Sequence, residues 1–136
     1  MQETDIPRRL ALLYARCADD RDFSAMREII TPGFTQRGPE WYCQGADAFV
    51  DQLAYLEANF SATLHMVGNQ LGSWTGENYL GETYCVATHI YQRDGAGRKL
   101  EMGIRYRDDI VAYNGGHRYA SRDLVVVWTS DQALQG

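Results

Sequence analysis

Between residues 62 and 129 the sequence falls into four long segments, 62–74, 78–92, 99–113 and 117–129. They are parted by Thr75-Gly76-Glu77-Asn78, Asp94-Gly95-Ala96-Gly97 and Asn114-Gly115-Gly116. Glycine beside Asp or Asn supplies the positive φ that a tight turn needs, so each join reads as a hairpin and neighbouring strands as antiparallel. A meander this long has a face that must be covered, which is what most limits the fold. Leu124-Val125-Val126-Val127-Trp128 is one continuous apolar run. It predicts a last strand covered on both faces, by the core or by an interface.

The cover comes from the residues before Phe60. Ile6, Leu10, Leu13, Tyr14 and Cys17 recur at helical spacing, with Thr4 or Asp5 as cap and Pro7 in the first turn. The stripe stops at Asp19-Asp20-Arg21-Asp22. Asp22 then caps a short second helix, with Phe23, Met26, Ile29 and Ile30 inward and Pro32-Gly33 as its end. Phe34 to Tyr42, containing Gly38-Pro39, reads as a short strand and a loop. A third helix runs from about Ala46 to Asn59, with Phe49, Val50, Leu53, Leu56 and Phe60 on one face. The sum is α+β: a single domain, residues 1–136, in which three N-terminal helices cap a strongly curved antiparallel or mixed sheet. Such a sheet closed by helices makes a cone with room for a small ligand.

Charge and cysteine usage narrow the partners. Thirteen Lys and Arg stand against 18 Asp and Glu, a net charge of −5, with no basic stripe. That argues against nucleic acid and against an anionic membrane surface. No apolar run approaches the roughly 20 residues of a membrane span. The opening Met-Gln-Glu-Thr-Asp-Ile-Pro is polar and acidic, unlike a signal peptide. Cys17, Cys43 and Cys85 are odd in number and widely spaced, without zinc-site spacing. They read as reduced thiols, most simply small core residues, of a cytoplasmic protein.

Two histidines stand on strands. Strict alternation puts His65 on one side of its strand with Thr63, Val67 and Asn69, and Leu64, Met66 and Gln70 on the other. His89 shares a face with Tyr79, Thr83, Cys85, Ala87 and Tyr91. That face is amphipathic and aromatic, as a ligand pocket would be, although parity alone does not say which side is concave. Asp19, closing the first helix, is placed to orient one of the rings. Each group also has a plainer reading. His65 could be a core histidine bonded to a carbonyl. Asp19 could belong to a solvated turn, with Asp20 and Asp22 as competitors. Tyr14 could be helix stripe only, and Tyr106 could pack under the helices. Arg122 could pair with Asp108 or Asp109 as a surface bridge.

Taken together the residues resemble a known family. Tyr14-Ala15-Arg16, Asp19, Asp22-Phe23 and Pro32 are similar to the start of a SnoaL-like domain, as is Thr63-Leu64-His65-Met66-Val67-Gly68-Asn69. Gly81 to Cys85, Gly103, Arg105-Tyr106, Asp108, Ala120-Ser121-Arg122 and Trp128-Thr129 carry the likeness to the C-terminus. The family belongs to the nuclear-transport-factor-2-like superfamily, whose cystatin-like roll agrees with the cone read above. The relatives it suggests are scytalone dehydratase, hexachlorocyclohexane dehydrochlorinase and bile-acid 7α-dehydratase, which are cofactor-free lyases. By that resemblance Asp19 and His65 take the places of the helix-end aspartate and the strand histidine. His89 matches the second histidine of scytalone dehydratase. Tyr14 matches the tyrosine of the bile-acid enzyme, where the dehydrochlorinase has a lysine. Arg122 matches the last-strand arginine of the dehydrochlorinase. Two active-site tyrosines of scytalone dehydratase fall on Ala18 and Gly38 here, which argues against scytalone as substrate. Relatives of this kind are trimers or dimers, so a homo-oligomer is implied.

These residues suit elimination chemistry. A neutral imidazole at His65 takes a proton beside the leaving group, and Asp19 fixes its tautomer. His89 or Tyr14 protonates the departing oxygen, and Arg122 holds an anionic oxygen. Trp41, Tyr42, Phe60, Tyr91 and Tyr106 would line a pocket for a small hydrophobic, cyclic substrate. No cofactor or metal is required. Two other classes stand beside this one: a non-catalytic small-molecule-binding or protein-interaction module, and a metal enzyme ligated by His65, His89 and Asp19.

Overall fold

The computed structural model describes residues 5–135. Helix α1 (Ile6–Asp19) and the short α2 (Phe23–Arg27) come first, followed by β1 (Ile30–Gly38), β2 (Trp41–Gln44) and α3 (Ala46–Glu57). The long strands β3 (Ala62–Thr75), β4 (Asn78–Arg93), β5 (Ala96–Tyr113) and β6 (Gly116–Ala133) complete the chain. All six strands form one curved, unclosed sheet in the order β2-β1-β6-β5-β4-β3. β1 lies parallel to β6 and the other pairs are antiparallel, so the sheet is mixed.

The meander is where its turn residues place it. Asp94 and Gly95 have φ of 54° and 79°, and Asn114 and Gly115 have 46° and 78°. Paired positive φ is the type I′ geometry whose twist matches that of the flanking strands, and Asp, Asn and Gly are the residues that tolerate it.

The first part of the chain departs from expectation. Helix α2 ends at Arg27, and Pro32 and Gly33 lie inside β1 rather than at a helix stop. Proline removes a ladder donor, so it needs a break in pairing. The β1–β6 register supplies one, shifting between Ile30–Tyr119 and Thr35–Ser121. Two strands, not a strand and a loop, therefore separate α2 from α3, and the helices do not precede the sheet as a block. Helix α3 ends at Glu57 instead of Asn59; Leu56 on its expected apolar face is exposed, while Glu57 is buried. Asp5 occupies the N-cap position of α1 without a side-chain cap bond, and Thr4 lies outside the described residues. Asp22 does cap α2, accepting from the Ala25 N–H at 3.1 Å.

A bulge in β3 decides which side chains reach the interior. Gly68 and Asn69 fall between the pairs Val67–Cys85 and Gln70–Thr83, so two residues oppose Tyr84 alone. A bulge inverts the two-residue alternation beyond it. Before it Thr63, His65 and Val67 face inward; after it Gln70 and Trp74 do, and Asn69 is exposed. Simple alternation had put Asn69 with His65 and Gln70 opposite.

On β4 the inward row is Tyr79, Thr83, Cys85, Ala87 and His89. With Ile104, Tyr106 and Ile110 of β5 and Tyr119 of β6 it forms the core against α1, α2 and α3. The run Leu124 to Trp128 is not covered on both faces within the chain: Val127 and Trp128 are exposed. Met66, Val86, Gly103 and Trp128 pair in register as one row across four strands of the outer face. The Trp128 indole lies against Gly103, where a Cβ would come within 2.1 Å of it. No helix among the described residues is long and apolar enough to cross a membrane.

Candidate functional site

Helix α1 delivers Asp19 as its last residue, next to the inward face of β3. A carboxylate there opposes the negative end of the helix dipole. It is held by three donors. Its Oδ2 accepts the backbone N–H of His65 at 3.0 Å, its Oδ1 lies 2.7 Å from His65 Nδ1, and the Thr63 hydroxyl reaches Oδ1 at 3.0 Å. Burial works against ionisation of Asp19, but the hydrogen bonds from the His65 ring, the His65 N–H and Thr63 outweigh it and lower its pKa. The ionised carboxylate places a proton on Nδ1 of His65 and leaves Nε2 with a lone pair. Nε2 has no hydrogen-bond partner among the described residues. The two side chains are 9% and 17% exposed, in the order His65 and Asp19.

His89 completes the cluster from β4. Its ring centroid is 6.2 Å from that of His65 and 4.8 Å from that of Phe60, which follows α3. Its Nδ1 lies 3.4 Å from the Leu100 carbonyl. Burial first, and the neighbouring His65 second, lower the His89 pKa. His89 is therefore a neutral ring near pH 7, able to hydrogen-bond a substrate oxygen but not to act as an imidazolium acid. Tyr91 contacts Phe60 at 6.1 Å and donates its hydroxyl to Asp131.

A second polar cluster lies deeper. Arg122 Nε donates to Asp108 Oδ1 at 2.8 Å, and both side chains are 1% exposed. This is a buried ion pair and not the surface bridge weighed from the sequence. The Arg122 guanidinium carbon sits 4.4, 3.8 and 4.8 Å from the ring centroids of Tyr14, Tyr106 and Tyr119. Thr83 donates to Asp108 at 2.6 Å, and Gln70 donates to Thr83 at 3.0 Å. Tyr14 accepts from Gln36 at 3.1 Å, and burial raises its pKa. Arg122 Nη2 and the Tyr119 hydroxyl have no partner among the described residues. Tyr14, Tyr106, Tyr119 and Arg122 are thus packed together in the core, which also holds Cys85, whose thiol burial pushes up to about 11.

The sequence-derived site residues thus divide. Asp19, His65, His89 and Phe60 come together, while Tyr14, Tyr106 and Arg122 pack in the core. Trp41 is half-buried with its indole N–H unpaired. Tyr42 is exposed beneath Arg37, 4.6 Å from the guanidinium carbon. The opening that reaches Asp19 and His65 is a groove of about 880 Å³ between α1 and β3, lined also by Arg8, Leu12, Leu13, Arg16 and Met66. Among the described residues no three His, Cys, Asp or Glu side chains are grouped as metal ligands.

Sequence reasoning missed Glu57 and Arg21. Arg21, at φ 55°, folds back between α1 and α3. Its Nη1 lies 2.7 Å from Glu57 Oε2 and 2.9 Å from Thr63 Oγ1, and Nη2 donates to the Phe60 carbonyl at 3.2 Å. The signal was present: Glu57 follows Phe49, Val50 and Leu53 at helical spacing, a charge on an apolar stripe.

A family model described as a SnoaL-like domain matches residues 3–123. No curated protein matches the sequence. A Novosphingobium aromaticivorans protein provisionally assigned as a scytalone dehydratase superposes with a TM-score of 0.86 at 18% identity, over 98% of this chain and 90% of that one. A Kribbella flavida protein gives 0.86 at 18%, over 94% and 93%. The type 3 hexachlorocyclohexane dehydrochlorinase of Novosphingobium barchaimii gives 0.83 at 10%, over 98% and 90%. At these identities the likeness is one of fold.

Proposed function

This chain belongs to the SnoaL-like domain family, and we propose that it is a cofactor-independent lyase of the dehydratase kind, or an isomerase, acting on a small hydrophobic cyclic molecule. The reading rests on one observation: His65 Nδ1 is held 2.7 Å from Asp19 while Nε2 is left without a partner. An imidazole so arranged is a general base near neutral pH. Nε2 removes a proton from the carbon beside the leaving group, the electron pair forms the new double bond, and the leaving group departs, either as halide or, by taking that proton back from the His65 imidazolium, as water. Asp19 stabilises the imidazolium that forms. His89, a neutral ring with its Nδ1 proton toward the Leu100 carbonyl, offers Nε2 as an acceptor to a substrate hydroxyl, and Phe60 offers an apolar face to the ring of the substrate. Arg122, closed off by the rings of Tyr14, Tyr106 and Tyr119, serves with Tyr14 as the polar floor beneath the site, and an anionic oxygen meets its Nη2 only when those rings move aside.

Two further features extend the proposal. The exposed apolar row Met66, Val86, Val127 and Trp128 suits a homo-oligomer, a trimer or dimer of this chain. The three free buried cysteines suit a reducing, cytoplasmic setting.

A second reading, a non-catalytic small-molecule-binding module, draws on the packed core, where Tyr106 and Arg122 are nearly inaccessible. The two are separated by offering the protein cyclic alcohols and halides that carry an acidic C–H beside the leaving group. Release of water or halide by the wild type and not by Asp19→Asn supports the lyase. Saturable binding without product by both supports the module.

A further inference from the structure

The Thr63 hydroxyl has three neighbours but one proton. Arg21 Nη1 donates to one of its lone pairs at 2.9 Å, and toward acceptors it has a single O–H to give. Two carboxylates compete for that proton: Asp19 Oδ1 at 3.0 Å and Glu57 Oε2 at 3.4 Å. Glu57 is 6% exposed, and its nearest positive charge is Arg21, 2.7 Å away. A carboxylate on a buried helix face costs stability unless something uses it. Nothing in the packing of α3 requires it, since Phe49, Val50 and Leu53 already make that contact.

We propose that Glu57 is a positioning residue of the same site, a second carboxylate that, with Arg21 and through Thr63, sets how strongly Asp19 supports His65. The proposal rests on the reading of His65 as the base. The charged and titratable groups facing Glu57 are Asp19 of α1, Arg21 after it and His65 of β3, with His89 of β4 behind His65. When Thr63 donates to Asp19, part of that carboxylate's acceptor strength is spent away from the imidazole. When Thr63 turns to Glu57, Asp19 Oδ1 is left to the His65 ring proton, while Oδ2 keeps the backbone N–H. Burial first raises the Glu57 pKa, and Arg21 opposes it, while Asp19 is lowered. Two carboxylates sharing one hydroxyl are thereby pushed apart in acidity, so that one is fully ionised where the other still holds protons.

The test needs no substrate: the His65 imidazole is titrated by NMR in the full chain. Glu57→Gln removes a negative charge beside the imidazolium and, leaving only a neutral amide oxygen to compete, shifts the Thr63 hydroxyl toward Asp19. Both effects lower the His65 pKa, by about half a unit or more. Thr63→Val takes a donor from Asp19 and raises the His65 pKa, and Thr63→Ser restores the wild-type value. Should Glu57→Gln not fold, Arg21→Gln leaves the Glu57 charge uncompensated and raises the His65 pKa. A His65 titration unmoved in the folded variants overturns the proposal, as does a shift of the same sign in Glu57→Gln and Thr63→Val. These outcomes are independent of turnover. Absence of lyase activity would strike the functional reading and leave the coupling standing.

Discussion

Asp19 grips His65 at two points, accepting the backbone N–H with one carboxylate oxygen and meeting the ring Nδ1 with the other. The backbone contact fixes where the carboxylate sits, and the ring contact then fixes which imidazole nitrogen carries the proton. The expected consequence is a His65 held in the Nδ1–H tautomer at pH 7, read directly from its ring ¹⁵N shifts. In Asp19→Asn the amide can donate to Nδ1, and the Nε2–H tautomer gains population.

Acid stability follows from the same pair. The Asp19 pKa is lowered on folding from its ordinary 3.8. A carboxylate with a depressed folded value adds stability above its unfolded pKa and loses it as pH falls through the folded one. The Tm of the wild type therefore exceeds that of Asp19→Asn near pH 6, and the gap closes as pH is taken below about 4. A gap that stays constant to pH 2 would show that the charge of Asp19 contributes nothing to the fold.

In the core, Asp108 neutralises an Arg122 that water does not reach. Removing one member of such a pair strands the other charge, which costs about 3–5 kcal/mol. Asp108→Ala is expected to lose that much in urea unfolding. Asp108→Leu combined with Arg122→Met is expected to lose much less, because the two apolar groups leave no orphaned charge.

The outer face gives an assembly prediction. Met66 is 65% exposed and lies in register with Val86 in the apolar row. Met66→Lys together with Val127→Lys is expected to convert an oligomer to a monomer in sedimentation velocity, with the far-ultraviolet dichroism unchanged. Monomeric wild type, or no change in the double variant, would remove the interface from that face.

The strands were the legible part of the fold, because Asp94-Gly95 and Asn114-Gly115 announce their turns locally. β1 was not: Pro32-Gly33 looks like a helix stop, and only the distant β6, by breaking its own register, allows proline into a strand. Nor is the Gly68-Asn69 bulge visible in a pattern of alternating residues, so the sides of Asn69 and Gln70 were exchanged. Within the site, the meeting of Asp19 and His65 was anticipated by resemblance and by position on their elements. The burial of Arg122 against Asp108 depends on β5 and β6 aligning those two residues, a register relation that spacing does not encode. Glu57 falls on the inward face by its spacing after Phe49, Val50 and Leu53, but its partner Arg21 reaches it only through a fold-back at φ 55° that no local pattern announces.

The most direct measurement of the central claim is kcat/KM for His65→Ala against the wild type, on a cyclic compound from which the wild type eliminates water or halide. The account predicts a loss of at least about 10²–10⁴-fold, the contribution of one general base, with the fold retained. Equal activity in the two proteins would contradict it and would take the proton acceptor away from His65.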